Sequence, residues 1–241
     1  MIPIRDNVPR VHPPISVLMI IALNAIAFLY TRSLQGNEFF NFMHLFGVVP
    51  ARFLSPEWAT WAGYPDSTLP MLSYMFLHSG WLHVIMNMWM LWIFGDNIED
   101  VTGHVGLLAF YVICGLTAVS VQILTEPGST TPIIGASGAV AGIMGAYMVL
   151  YPHGQVLTLV PVFIIPLFFR FPAILFLAAW LLVQLVSGVV EAAGKTQSVA
   201  WWAHIGGFFA GMVLIRFFQR KDRCYYCYNP ETKDYEELPK D

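Results

Sequence analysis

Apolar stretches without any charged side chain alternate with short charged segments along the chain. Asp, Glu, Lys and Arg are absent from residues 11–31, 67–95, 101–125, 127–169, 171–190 and 196–215. A helix needs about 20 mostly apolar residues to cross the hydrocarbon core of a membrane. The pattern predicts an all-α fold class, a polytopic membrane protein with six transmembrane helices at about residues 15–30, 71–94, 105–124, 133–151, 172–190 and 201–218.

The alternative to six spans is seven, with residues 156–169 as the additional span. They are apolar, but Pro161 and Pro166 interrupt them and Pro152 precedes them. Proline breaks the helical hydrogen-bond pattern, and about 14 residues are too few to cross except as a tilted or re-entrant piece. We expect this segment to lie at the membrane interface.

The composition excludes a soluble domain. Of the 241 residues, 57% are hydrophobic, 12 are Lys or Arg and 15 are Asp or Glu. The net charge of −3, without a basic surface, argues against nucleic acid as a partner and leaves the lipid bilayer. Cys224 and Cys227 supply only two of the four ligands of a structural zinc, so we expect no metal and no cofactor.

Basic residues gather at both ends of the chain and predict its orientation. They are Arg5, Arg10, Arg216, Arg220, Lys221 and Arg223. By the positive-inside rule both termini are cytoplasmic. The chain then divides into a cytoplasmic N-terminal segment (1–14), a membrane domain (15–218) and a cytoplasmic flexible tail (219–241). Because no Arg-rich and Ser-rich transit segment is recognised, we expect a bacterial cytoplasmic membrane.

The longest connection, residues 31–69, is rich in aromatic side chains and poor in charges. Aromatic rings concentrate where a membrane meets water. We expect this first loop to lie among the lipid headgroups or to pack against the helices.

His83 and Asn87 introduce two polar side chains into the second predicted span. Their i, i+4 spacing places them on one face of a helix. Polar groups at membrane depth are costly unless they face the bundle interior or a wet cavity. The alternative role is a hydrogen bond between helices.

Ser137 stands where the fourth predicted span begins, within the sequence G-A-S-G. Gly138 and Gly142 follow on the same helix with the spacing that lets two helices approach closely. A serine on such a face is either a packing residue or a nucleophile.

His204 lies on the sixth predicted span and shares a face with Gly207 and Gly211. Two glycines allow another helix backbone to come close, and the glycine-rich helix of Ser137 is the natural neighbour. An intramembrane histidine is structural or catalytic, and this residue alone does not decide between them.

Together these side chains comprise one nucleophile, one base and two further hydrogen-bond donors, the groups that acyl transfer requires. The windows that hold them contain no Asp or Glu to orient the base. A Ser-His-Asp triad is therefore unavailable, and a Ser-His dyad is the only form that this chemistry could take.

With these residues, the chain resembles the rhomboid family of intramembrane serine proteases. The similarity covers residues 69–218 and rests on H-x-x-x-N at His83 and Asn87, G-x-S-G at Ser137, and A-H-x-x-G-x-x-x-G at residues 203–211. It implies a six-helix rhomboid-like bundle of the minimal bacterial form. A short fourth helix would lie at its centre, beside a water-filled cavity open to the outside.

The resemblance also implies roles for individual residues. Ser137 would be the nucleophile, His204 the general base, and His83 and Asn87 the oxyanion-stabilising side chains, together with the Ser137 N–H. Glu99 matches a family acid that is structural. The implied function is a serine endopeptidase that hydrolyses peptide bonds in or near transmembrane segments of membrane proteins.

Two positions depart from the family pattern. Leu69-Pro70 stands where many relatives have a Trp-Arg pair, so the first loop needs another anchor. Ala141 stands where well-studied bacterial relatives have a tyrosine stacked on the catalytic histidine, so support for His204 must come from elsewhere. On the fifth span, Trp180 and Gln184 share a face, and Gln184 either lines the substrate path or makes a packing hydrogen bond.

Two other functions remain as alternatives. A non-catalytic rhomboid-like protein would bind or escort membrane helices, but such relatives typically lack the Ser or the His. A small transporter or channel would tolerate Ser137→Ala, yet the chain lacks the intramembrane carboxylates and broken paired repeats typical of that class.

Overall fold

The computed structural model describes residues 2–162, 165–194, 199–220, 223, 226–229, 231–232 and 234–237. The chain is mostly helical. Its helices are α1 (Ile15–Ser33), α2 (Asn37–Phe46), α3 (Pro50–Leu54), α4 (Pro56–Trp61), α5 (Pro70–Ser73), α6 (Trp81–Thr102), α7 (His104–Thr125), α8 (Ser137–Leu150), α9 (Ala173–Gly194) and α10 (Trp201–Phe218), with a 3-10 turn at Tyr74–Phe76.

Four of the described helices are long and apolar enough to cross a membrane, namely α1, α7, α9 and α10. Helix α8 is apolar but has only 14 residues, and α6 has 22 residues but includes the acidic side chains Asp96, Glu99 and Asp100. The structure thus supports a membrane protein with several apolar helices. Four of the six predicted spans coincide with a helix of this kind.

Contacts with the last turns of α6 hold the start of α1 and the end of α10 at the same end of the bundle. The start of α1 bonds to the end of α6 through Ser16 N–H and Glu99, and the Arg220 N–H that follows α10 donates to the Val101 carbonyl of α6. Successive long helices therefore run in alternating directions. Ser137, at the start of α8, lies toward the opposite end.

Helix α8 is the central helix of the bundle. Its residues 138–147 are all buried, and it packs against α6, α7, α9 and α10. A Cβ at Gly207 of α10 would collide with the Gly138 carbonyl, and one at Gly211 with the Gly142 carbonyl. The predicted close approach of the two glycine-rich helices is confirmed.

The second predicted span, 71–94, differs from the helix in the structure. Helix α5 and the 3-10 turn occupy its first part, and α6 begins only after Gly80, which has an extended backbone with φ −172°. The helix then continues past residue 94 because its acidic last turns have partners. Glu99 accepts hydrogen bonds from Ser16 N–H, Val17 N–H and His104, and Asp100 accepts from the backbone before α1.

The described residues of the 156–169 segment, 156–162 and 165–169, lie in two paired strands. Strands β2 (Gln155–Val162) and β3 (Ile165–Pro172) pair antiparallel, and β1 (Ile2–Asp6) pairs antiparallel with β2, in the order β1-β2-β3. The all-α prediction is therefore corrected to mostly helical. Proline disrupts the hydrogen bonds of a helix, and β-branched residues pack well on a sheet. The backbone of this segment therefore forms its hydrogen bonds between strands.

The first loop folds into α2, α3 and α4 and packs partly against the bundle. Val48 and Ile133 exchange backbone hydrogen bonds of 3.0 and 2.7 Å, which tie the loop to the segment that precedes Ser137. Arg52 is buried and donates to the carbonyls of Leu45, Pro65 and Ser67. Arg52 therefore ties parts of the loop to one another, while the Val48–Ile133 pair attaches the loop to the rest of the fold.

Two strands pair in the described part of the tail, β4 (Tyr226–Asn229) and β5 (Asp234–Glu237). Tyr235 is buried, and its ring centroid lies 5.7 Å from that of Tyr151, just after α8. Cys224 and the side chain of Cys227 lie outside the described residues.

Candidate active site

Ser137 and His204 meet where α8 and α10 cross. Oγ of Ser137 lies 2.7 Å from Nε2 of His204, a hydrogen-bonding distance. His204 is buried and Ser137 is half-buried. The contact exists because Gly207, one turn after His204, brings the α10 backbone against the Gly138 carbonyl next to Ser137.

Backbone hydrogen bonds fix both ends of this contact. The Gly135 N–H donates to the Tyr74 carbonyl at 2.9 Å, while the Tyr74 hydroxyl donates to Gly115 of α7 at 2.7 Å. On the other side, the Ala203 N–H donates to Oε1 of Gln122 at 3.0 Å. The residues that precede the serine and the histidine are therefore each held by a neighbouring element.

The ring of His204 is supported by α9 and by its own helix. Nδ1 of His204 lies 2.8 Å from Oε1 of Gln184. The Trp180 ring centroid lies 6.1 Å away at a tilt of 35°, and that of Trp201 lies 6.0 Å away, edge-on. These groups provide the support that the small side chain of Ala141 does not.

His83 faces Ser137 across Gly135. A Cβ at Gly135 would lie 2.7 Å from Nε2 of His83 and 3.6 Å from Oγ of Ser137. Gly135 has φ +123°, a backbone conformation that favours glycine. Both this conformation and the nearby His83 ring therefore require a residue without a side chain here. Nδ1 of His83 lies 3.2 Å from the Ser79 hydroxyl.

Asn87 lies one turn after His83 on the same face of α6. It is buried, and its Nδ2 has no hydrogen-bond partner among the described residues. The ring centroid of the buried His78 lies 4.8 Å from that of His83. Since buried donors are normally satisfied, the Nδ2 of Asn87 without a described partner is an exception in this part of the structure.

The described hydrogen-bond partners of the His204 side chain are Ser137 and Gln184, and neither is acidic. The geometry is therefore that of a two-residue pair with an amide beside it. Such a pair can activate a hydroxyl only through the neutral imidazole.

Comparison with known proteins gives the family. The model of the Rhomboid domain matches residues 65–221, well over half of the chain. The chain belongs to the rhomboid family. The resemblance seen in the three motifs is thereby confirmed.

Several curated rhomboid proteins are similar to this chain. Rhomboid protein 1, mitochondrial, of Saccharomyces cerevisiae is 27% identical over 169 residues, covering 67% of this chain and 45% of the yeast protein. Presenilin-associated rhomboid-like protein A, mitochondrial, of Danio rerio is 32% identical over 119 residues, covering 47% and 31%. Rhomboid-like protein 11, chloroplastic, of Arabidopsis thaliana is 26% identical over 174 residues, covering 71% and 58%. The chain thus spans less than two thirds of the length of each of these rhomboid relatives.

Two residues of this rhomboid site were not assigned from the sequence. Gly135 has no reactive side chain, and only the structure shows that it lies between the His83 ring and the Ser137 hydroxyl. Gln184 has a sequence signal, its i, i+4 relation to Trp180, but that signal leaves two roles open.

Proposed function

We propose that this rhomboid protein is an intramembrane serine endopeptidase that hydrolyses peptide bonds in or near transmembrane segments of membrane proteins. The observation that carries the proposal is the 2.7 Å contact between Oγ of Ser137 and Nε2 of His204. A nucleophile and a base within hydrogen-bonding reach are the signature of covalent acyl transfer.

In this mechanism His204 acts twice. Nε2 accepts the hydroxyl proton as Oγ of Ser137 attacks the peptide carbonyl, and it then gives that proton to the leaving amine. The acyl-enzyme that remains is an ester of Ser137. Water attacks this ester with His204 again as the base, and the carboxylate product leaves.

Three donors are available for the developing oxyanion. Nδ2 of Asn87 has no described partner, and the first amides of α8, including Ser137 N–H, have no acceptor within their own helix. In the tautomer in which Nδ1 of His83 accepts from Ser79, Nε2 carries a hydrogen toward Gly135. We assign His83 and Asn87 to oxyanion stabilisation, which is worth most in a dry site.

Membrane placement follows from helix lengths and charge. Helix α8 has 14 residues and is about 21 Å long, against about 30 Å for the hydrocarbon core. With α1, α6, α7, α8, α9 and α10 as the six membrane helices and the basic ends of the chain in the cytoplasm, or on the equivalent side of an organelle membrane, the short α8 leaves Ser137 below the opposite surface. Water must therefore reach the site from that side.

The substrate in this proposal is a transmembrane segment that enters sideways from the bilayer. A peptide bond inside a helix is shielded by its own hydrogen bonds, so the segment must unwind near the membrane surface before Ser137 reaches it. Spans that contain Gly or Pro, with small side chains at the cleavage point, meet this requirement.

Cleavage of a panel of single-span reporters tests the proposal. The reporters are co-expressed with wild type, Ser137→Ala and His204→Ala, and immunoblots check that the three proteins accumulate equally. Wild type cuts at least one reporter and both variants cut none. Cutting that survives in Ser137→Ala overturns the serine mechanism, and a helix-binding function without hydrolysis appears as reporter capture by wild type with no product.

A further inference from the structure

Gln184 is a buried polar residue on α9 that the reaction steps above do not use. Its Oε1 lies 2.8 Å from Nδ1 of His204, on the ring edge opposite Ser137. His204 thus lies between a hydroxyl and a carboxamide. A carboxamide oxygen beside a ring nitrogen can only accept a hydrogen bond from it.

The orientation of the Gln184 amide is fixed by its other end. Nε2 of Gln184 donates to the Trp180 carbonyl at 3.3 Å, one turn earlier on α9. The amide nitrogen can only donate and the amide oxygen can only accept, so the oxygen faces His204. An acceptor beside Nδ1 requires a hydrogen on Nδ1, and a neutral imidazole then has its lone pair on Nε2.

We propose that Gln184 is the positioning residue of the Ser137–His204 pair: its carboxamide oxygen holds the proton on Nδ1 of His204 and leaves Nε2 as the base toward Ser137. The inference rests on the proposed function. It assigns to a neutral amide on α9 the orienting role that a carboxylate has in a three-residue hydrolase site.

The placement of Gln184 is built into the packing between α9 and α10. Trp180, Gln184 and Gly188 follow each other at i, i+4 and i+8 on the face of α9 that meets α10. The Trp180 ring stacks on Phe208, and a Cβ at Gly188 would lie 3.2 Å from Cβ of Trp201. Contacts one turn before and one turn after Gln184 therefore fix its distance from His204.

The groups around His204 leave Gln184 as the described neighbour able to select its tautomer. His83 is the titratable side chain that faces it from α6, across Gly135, and Ser137 faces its Nε2 from α8. From α7, Gln122 bonds to the Ala203 backbone rather than to the ring, and Glu191 of α9 accepts from Trp201. Only Gln184 bonds Nδ1 among the described residues.

Two substitutions at one position test the role in cleavage. Gln184→Leu keeps the volume and removes the acceptor, and we expect kcat to fall about tenfold with KM within about twofold, since only the base is affected. Gln184→Glu places a charge there that favours the protonated ring, and we expect the acid limb of the kcat/KM profile to move to higher pH. An unchanged kcat in Gln184→Leu together with an unmoved acid limb in Gln184→Glu overturns the inference.

Gln122→Leu is the matched control, because it removes a comparable buried amide whose oxygen accepts from the α10 backbone and not from the His204 ring. We expect its melting temperature to fall about as much as that of Gln184→Leu while the shape of its pH profile stays that of wild type. If the two leucine variants lose activity only in proportion to their folded fraction, Gln184 is a packing residue and the inference is wrong.

A measurement without turnover separates this inference from the proposed function. In Ser137→Ala labelled with 15N-histidine, His204 is assigned by comparison with the Ser137→Ala/His204→Gln variant. The protonated and unprotonated ring nitrogens give separate 15N signals. We expect the Nδ1–H tautomer near neutral pH and a gain of Nε2–H when Gln184→Leu is added. A dominant Nε2–H tautomer with Gln184 present overturns the inference, even if Ser137 proves to be the nucleophile, and absent cleavage with an Nδ1–H tautomer counts against the proposed function alone.

Discussion

The carboxylate of Asp6 accepts a 2.5 Å hydrogen bond from the hydroxyl of Tyr147, which lies near the end of α8 farthest from Ser137. Asp6 belongs to strand β1, and Tyr147 is fully buried. The N-terminal strand is thereby attached to the same helix that carries the candidate nucleophile at its other end. Stability of the sheet and stability of the site helix are coupled through this pair.

Stability of the protein should depend on the protonation of Asp6. Burial raises the pKa of Asp6 from 3.8 to about 6, against the opposing effect of the Tyr147 hydrogen bond. Because the folded state holds the proton more tightly than the unfolded chain, the stabilisation is complete below 3.8 and is lost as pH rises through about 6. We expect a melting temperature in detergent that is a few degrees higher at about pH 5 than at about pH 7.5.

Asp6→Asn is the variant that isolates this contribution. It keeps an acceptor for Tyr147 and cannot ionise, so the part of the melting-temperature difference that belongs to Asp6 should disappear. If the variant retains the full pH dependence of wild type, other groups are responsible and the role of Asp6 is refuted.

The glycine contact between α8 and α10 should be indispensable to the site. A Cβ from Gly207→Ala would collide with the Gly138 carbonyl, which must move away and take Ser137 with it. We expect stability to fall by about 1–3 kcal/mol and cleavage to fall at least tenfold, because such overpacking cannot be relieved by a side-chain rotation. Gly128→Ala, at a position with no atom within 4 Å of the added Cβ, serves as the control and should behave like wild type.

Gly135→Ala should damage the oxyanion side of the site while leaving the base intact. The added methyl lies 2.7 Å from Nε2 of His83 and forces a positive φ on alanine. We expect a large loss of kcat with His204 still hydrogen-bonded to position 137. A cleavage assay with 15N spectra of His204 measures both, and normal kcat in a folded Gly135→Ala protein would show that His83 does not act there.

The charge-free apolar windows predicted where most long helices lie, because a membrane helix is marked in the sequence by about 20 mostly apolar residues. Helices α7, α9 and α10 begin within a few residues of their predicted starts. The start of α6 was missed because the chain leaves the helical conformation between the 3-10 turn and Trp81, with Gly80 extended just before α6. The apolar pattern of the sequence carries no signal for that break. Strand β1 was missed because it pairs with β2 about 150 residues further along the chain, a contact without a local signal.

The candidate site was largely accessible from its motifs, but its geometry was not. The spacing of residues places His83 and Asn87 on one face of α6, and Gly207 one turn after His204 on α10. The pairing of Ser137 with His204 depends instead on how α8 and α10 cross. Gln184 shows the limit most clearly. Its i, i+4 relation to Trp180 could be read from the sequence, but the partner of its amide oxygen is a residue of α10 that only packing brings within 2.8 Å.

Mapping of a covalent serine label tests most directly whether Ser137 is a nucleophile activated by His204. The purified protein is treated with a fluorophosphonate, digested and sequenced by mass spectrometry, beside His204→Ala and Ser137→Ala. We predict a single adduct on Ser137 in wild type, strongly slowed labelling in His204→Ala and none in Ser137→Ala. An adduct on another serine, or equal labelling of Ser137 in wild type and His204→Ala, would contradict the mechanism.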